Sequence, residues 1–243
     1  MKRITISLLI ALVFFALAAF AQTPTTAQEF FERGIAYGNK GDYDRAIADF
    51  TQAIRLNPNY TDAYCVRGVM YAGKGDYDKA IADFTQAIRL SPNYAVVYCS
   101  RGSAYYYKGD YDRAIADYTQ AIRLNPNDTA AYCGRGVMYA DKGDYDRAIA
   151  DCTQAIKLNL TNAEAYFVRG IAYDNKGDHD RAIADYTQAI KLDPNYADAY
   201  CARGLSYEDK GDNSKAIADY EAALRIDPNN AVAKRSLEIL KSR

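Results

Sequence analysis

A 34-residue period constrains this chain more than any other feature. Lys-Gly-Asp recurs at Lys40, Lys74, Lys108, Lys142, Lys176 and Lys210. Ala-Ile-Ala-Asp follows each copy, beginning at Ala46, Ala80, Ala114, Ala148, Ala182 and Ala216. A period of this size specifies stacked supersecondary units, each burying its apolar face on its neighbours. Such an array offers extended binding surface rather than a catalytic cleft.

The second unit, Thr61 to Tyr94, shows what one period encodes. Tyr64, Arg67, Gly68 and Tyr71 share one face of a helix. Gly75 suits a helix end that needs positive φ. Asp76 suits an N-cap, and Asp78 sits in a first turn favoured by the helix dipole. Ala80, Phe84, Ala87 and Ile88 form the apolar stripe of a second helix, with Arg89 near its C-terminus and Pro92 as its stop. Gly68 and Ala80 allow close helix approach, while Tyr71 and Phe84 fill the space around it.

These residues resemble the tetratricopeptide repeat family, whose pattern is an aromatic, Gly, Tyr, Ala, an aromatic, Ala and Pro at fixed offsets. Repeat two supplies Tyr64, Gly68, Tyr71, Ala80, Phe84, Ala87 and Pro92. Repeat one supplies Phe30, Gly34, Tyr37, Ala46, Phe50, Ala53 and Pro58, and repeat three Tyr98, Gly102, Tyr105, Ala114, Tyr118, Ala121 and Pro126. Repeat four departs, with Cys152 for the second aromatic and Leu160 for Pro. Repeats five and six end at Pro194 and Pro228. The resemblance implies an all-α, right-handed superhelical solenoid of six helix-turn-helix units, spanning 27–60, 61–94, 95–128, 129–162, 163–196 and 197–230. The segment 231–243 reads as a capping helix, with Val232, Leu237 and Leu240 covering repeat six.

Each repeat carries Arg where the family usually has Leu, at Arg33, Arg67, Arg101, Arg135, Arg169 and Arg203. Asp accompanies each one, at Asp49, Asp83, Asp117, Asp151, Asp185 and Asp219. The expectation is Arg–Asp pairing, within a repeat or between neighbours, rather than an anion-binding ladder.

Residues 1–21 read as a signal peptide. Lys2 and Arg3 precede an uncharged apolar stretch from Leu8 to Ala21, and Ala19-Phe20-Ala21 suits a signal peptidase. Residues 22–26 are a short linker. The expected location is therefore exported, periplasmic or secreted, with an uncleaved N-terminal anchor as the alternative. Removing Lys2 and Arg3 changes 30 basic against 31 acidic residues to 28 against 31, a net charge of −3. The charges are interspersed, which argues against nucleic acid and against stable membrane insertion after cleavage.

Cys65, Cys99, Cys133 and Cys201 occupy one repeat position, filled elsewhere by Phe31 and Phe167. Packed helices lie about 8–10 Å apart, beyond the Cα separation of about 7 Å that a disulfide tolerates. They read as small, half-buried apolar side chains. Cys152 reads as core, and a Cys133–Cys152 bridge stays open as an alternative.

No His/Cys cluster has metal-ligand spacing, no Gly-rich loop suits phosphate, and His179 is the single His. These observations imply no cofactor and no enzyme. Asn59, Asn127 and Asn159 begin glycosylation sequons at repeat junctions.

The resemblance places first helices on a concave, partner-binding side, lined by Phe31, Cys65, Cys99, Cys133, Phe167 and Cys201. Ile35, Val69, Ser103, Val137, Ile171 and Leu205 lie a turn later. A clamp for a C-terminal carboxylate is disfavoured, because its basic residues are missing there. Specificity should lie where repeats differ: at Tyr106 and Tyr107, and at the acidic positions Asp141, Asp174, Glu208 and Asp209. The functional expectation is an exported scaffold holding a peptide segment or partner helix with apolar and basic residues. The candidate groove comprises Phe31, Cys65, Val69, Cys99, Tyr106, Tyr107, Cys133, Val137, Asp174 and Glu208. Self-association into a structural array in the cell envelope is the alternative.

Overall fold

The computed structural model describes residues 24–242, and they contain thirteen α-helices and no strand. The signal-peptide reading of residues 1–21 lies outside the described residues. Contacts divide the chain into two compact units, one ending at Pro92 and the other beginning at Asn93.

The first unit holds two helical hairpins: α1 (Ala27–Gly38) with α2 (Tyr43–Leu56), then α3 (Thr61–Gly73) with α4 (Tyr77–Leu90). Four more hairpins make up most of the second. They are α5 (Ala95–Tyr107) with α6 (Tyr111–Leu124), α7 (Thr129–Asp141) with α8 (Tyr145–Leu158), α9 (Ala163–Asn175) with α10 (His179–Leu192), and α11 (Ala197–Asp209) with α12 (Asn213–Ile226). Helix α13 (Ala231–Lys241) closes that unit. Within each unit, consecutive helices pack on one another, as an all-α helical-repeat solenoid requires.

The Lys-Gly-Asp signal works as a turn with caps at both ends. Gly143 takes φ +75°, which terminates α7 without Cβ strain. The Asp144 carboxylate then accepts the Arg147 backbone N–H and caps α8. Asp76 departs from the expected side-chain cap: it stands at the N-cap of α4, but its carboxylate is drawn 2.9 Å to Lys79 Nζ instead. Pro is not what ends the second helices. Helix α8, followed by Leu160 rather than Pro, stops at Leu158 with an extended Asn159, like its counterparts.

The core is built from small and ring side chains. Ala148, Ala155, Ala182 and Ala189 are fully buried, as are Phe50, Phe84, Tyr186 and Tyr220 or nearly so. The Lys of four turns also reaches back to the preceding hairpin. Lys74 pairs with Asp44, Lys142 with Asp112, Lys176 with Asp146 and Lys210 with Asp180. The cap on the second unit differs in one residue from the sequence expectation. Leu240 is buried and Leu237 packs beneath it, but Val232 is 51% exposed and Ala233 takes the inward place.

Candidate functional site

The repeated Arg and Asp form one bidentate pair inside each hairpin. Arg135 Nε and Nη2 donate to Asp151 at 2.7 and 2.8 Å, and Arg169 binds Asp185 with the same geometry at 2.8 Å. The third nitrogen reaches the preceding hairpin, with Arg135 Nη1 on Thr119 Oγ1 and Arg169 Nη1 on Thr153 Oγ1. Tyr132 and Tyr139 flank the Arg135 guanidinium, whose pKa is raised first by the Asp151 hydrogen bond. With all three of their nitrogens engaged by the protein, Arg135 and Arg169 are structural joints rather than an anion site.

The unrepeated residues create a cavity of about 620 Å³ in the second unit. Cys99, Ser103, Tyr106 and Tyr107 of α5 line it, with Tyr118 of α6 and Cys133, Gly134, Val137 and Met138 of α7. Asn159 at the end of α8, with Asn162 and Glu164 at the start of α9, supplies its polar edge. Two local substitutions explain why it opens here. The first is the side-chain pair between successive hairpins. Phe31 stacks on Tyr60 at 4.9 Å, and Phe167 on Tyr196 at 4.8 Å, filling the equivalent space with rings. At the cavity the same two positions are Cys133 and Asn162, which leave it open.

The second substitution is Gly134. A Cβ on Gly170 would meet the Tyr186 ring at 2.6 Å, because that ring lies inside its own hairpin. Tyr118 stands off its equivalent Gly102, where the same distance is 3.3 Å, and leans over Gly134, where a Cβ would meet it at 2.6 Å. Its hydroxyl lies 3.0 Å from Ser103 Oγ. Cys152, smaller than the ring it replaces, is fully buried beside Gly136.

All five cysteines are free thiols, which closes the Cys133–Cys152 alternative. Burial pushes Cys99 and Cys133 up to about 12, so both are protonated apolar lining at neutral pH. Cys99 donates weakly to Asp128 at 3.6 Å.

Five expected groove residues, Cys99, Tyr106, Tyr107, Cys133 and Val137, thus meet around one cavity. The other five lie elsewhere. Phe31 is held between Phe50 and Tyr60, Cys65 is buried, and Val69 is exposed on the first unit. Asp174 is not a free acidic position: it accepts Ser206 Oγ at 3.0 Å and lies 2.7 Å from His179 Nδ1. His179, the single His, is therefore half-buried against Asp174. Glu208 accepts the Tyr220 hydroxyl at 3.0 Å. Sequence reasoning passed over Tyr118, Gly134, Asn159, Asn162 and Glu164. Gly134 carried a visible signal, since Val66, Ser100, Val168 and Ala202 hold its place in other repeats.

Among the described residues, no group of three His, Cys, Asp or Glu is arranged to hold a metal. None of the described helices is long and apolar enough to cross a membrane.

Known proteins show the same architecture. MamA is 30% identical, with a TM-score of 0.61 over 68% of this chain and 96% of that one. YrrB, described as a TPR protein with an unusual peptide-binding site, is 24% identical with a TM-score of 0.62, over 78% of this chain and 97% of that one. The APC/C hetero-tetramer Cut9-Hcn1 gives 24% identity and a TM-score of 0.79; the match covers 95% of this chain but 45% of that one. An uncharacterized protein of Methanocaldococcus jannaschii is 45% identical over 38 residues, 16% of this chain and 44% of that protein. The tetratricopeptide repeat family model matches residues 31–95, 99–162, 141–195 and 167–231. With paired helices in the same register, the chain belongs to the tetratricopeptide repeat family, whose members generally mediate protein–protein interactions and are typically not enzymes.

Proposed function

We propose that this protein is an exported interaction scaffold that holds a peptide segment of a partner protein at the cavity between α5, α7 and α9. One observation carries this reading: the cavity opens where Cys133 and Asn162 stand in place of the Phe167–Tyr196 ring pair and Gly134 makes room for Tyr118. Its lining suits a peptide, with apolar Val137, Met138 and Tyr118 for a side chain, and Asn159 and Asn162 for main-chain polar groups. The fold likeness to a peptide-binding TPR protein supports the class of ligand at the level of architecture.

Selection of a random peptide library on the full chain tests the proposal. Retained peptides should lose binding to Cys133→Phe, which restores the ring found at Phe167. Undiminished binding to that variant would move the site elsewhere. Export rests on Lys2, Arg3, the apolar stretch and Ala19-Phe20-Ala21. N-terminal sequencing of the protein from its own source should find Gln22 first; finding Met1 would overturn cleavage.

A further inference from the structure

Resting on that peptide reading, we infer that the side chain entering the cavity is cationic, a lysine or arginine of the bound segment. Its stem would lie on the apolar lining and its head at the edge formed by Glu164 and the tyrosine rings.

Charge is the first argument. The lining contains one carboxylate, Glu164, and neither Lys nor Arg. The scaffold pairs most of its neighbouring carboxylates internally: Asp151 with Arg135, Asp112 with Lys142, and Asp144 with Arg147. Glu164 and the nearby Asp141 have no ion-pair partner among the described residues. Both act on Tyr106, whose hydroxyl is held above its ordinary pKa first by burial and then by Asp141, with Glu164 a smaller contributor. Glu164 thus stands in the lining itself, and Asp141, outside the lining, adds negative charge felt at Tyr106.

Aromatic geometry is the second argument. The Tyr106 ring lies 5.2 Å from that of Tyr107 and 6.1 Å from that of Tyr111, so three tyrosine rings cluster, and two of them share the cavity lining with Glu164. Elsewhere the chain itself seats cations on such rings, with Arg113 and Arg147 each 4.5 Å from a tyrosine centroid. Lysine and arginine match both halves of the cavity, since their methylene stems bury against apolar surface while the head stays polar. An acidic side chain would meet Glu164 and Asp141 with like charge.

A positional-scanning library of nonapeptides, with the central residue fixed as Arg, Lys, norleucine, Phe or Glu, discriminates these cases on the immobilised full chain. The Arg and Lys pools should be retained about tenfold over norleucine at low salt, the advantage shrinking as salt rises. Glu164→Gln combined with Asp141→Asn should bring them to the norleucine level, and Glu164→Lys should shift preference to the Glu pool. Equal or better retention of norleucine or Phe would overturn the cationic inference while leaving peptide binding intact. So would Arg and Lys retention unmoved by the Glu164→Gln, Asp141→Asn double variant. Retention of every pool no better than on Cys133→Phe would overturn the peptide reading itself.

Discussion

Two successive junctions of the second unit share a frame and differ in their filling. Between α7 and α9, Cys133 faces Asn162 and a cavity opens; between α9 and α11, Phe167 stacks on Tyr196 at 4.8 Å and the space is closed. Beneath both runs the same joint: Arg169 on Asp185 with its third guanidinium nitrogen on Thr153 of the hairpin before, and Arg203 on Asp219 with its third nitrogen on Thr187. The comparison teaches that stacking and recognition are carried by different residues. A binding cavity can therefore be opened by shrinking two side chains while the frame stays intact.

Breaking the frame should cost most, and equally at both junctions. Asp185→Ala and Asp219→Ala each strand an arginine whose side chain is under a fifth exposed, and should destabilise by about 3–5 kcal/mol. Denaturant midpoints that differ widely between the two would contradict a shared frame.

Converting one junction into the other is the next largest effect. Phe167→Ala empties a half-buried ring site and should cost about 2–3 kcal/mol, less than the 3–5 of a fully buried Phe. The reverse change, Cys133→Phe with Asn162→Tyr, should abolish peptide retention while the thermal midpoint holds or rises. A collapse of that midpoint would show that the open junction cannot accept the rings.

Alkali probes the buried thiol of the open junction. Burial raises Cys133 from 9.0 to about 12, so the folded state keeps the neutral thiol after the unfolded chain has begun to ionise. That contribution is complete below pH 9.0 and is lost as pH climbs toward about 12. Stability should be flat near neutrality and fall above pH 9, with a shallower fall in Cys133→Ala. Identical alkaline limbs for the two proteins would remove Cys133 from the account.

The smallest effect belongs to the surface pairs. Lys176→Ala and Lys210→Ala release carboxylates that are more than four-fifths exposed, and each should cost under about 1 kcal/mol. A larger loss at one of them, read from urea midpoints, would mark a junction that depends on its surface bridge.

Much of the frame was legible before any coordinates. Period, turn glycines, alanine stripes and the Arg–Asp partnership are local patterns repeated six times, and repetition averages out the ambiguity of each copy. The site was half legible. Cys99, Tyr106, Tyr107, Cys133 and Val137 stood out as departures from the repeat or as lining positions. Tyr118 did not, because it matches the family pattern; only its lean toward Gly134 makes it part of the wall. Asp174 and Glu208 were also departures, yet the structure gives them to Ser206, His179 and Tyr220. A charge in a sequence does not state whether a neighbour has already claimed it.

The sequence by itself determined the helical hairpin, its length and its family, because turn, cap and core positions are separated by fixed numbers of residues along one chain. Tertiary structure alone decided which of six similar hairpins leave space between them. That choice depends on pairs such as Cys133 with Asn162 and Phe167 with Tyr196, whose side chains meet only when successive hairpins pack. Volume at a junction is a property of two repeats at once, and no single period records it.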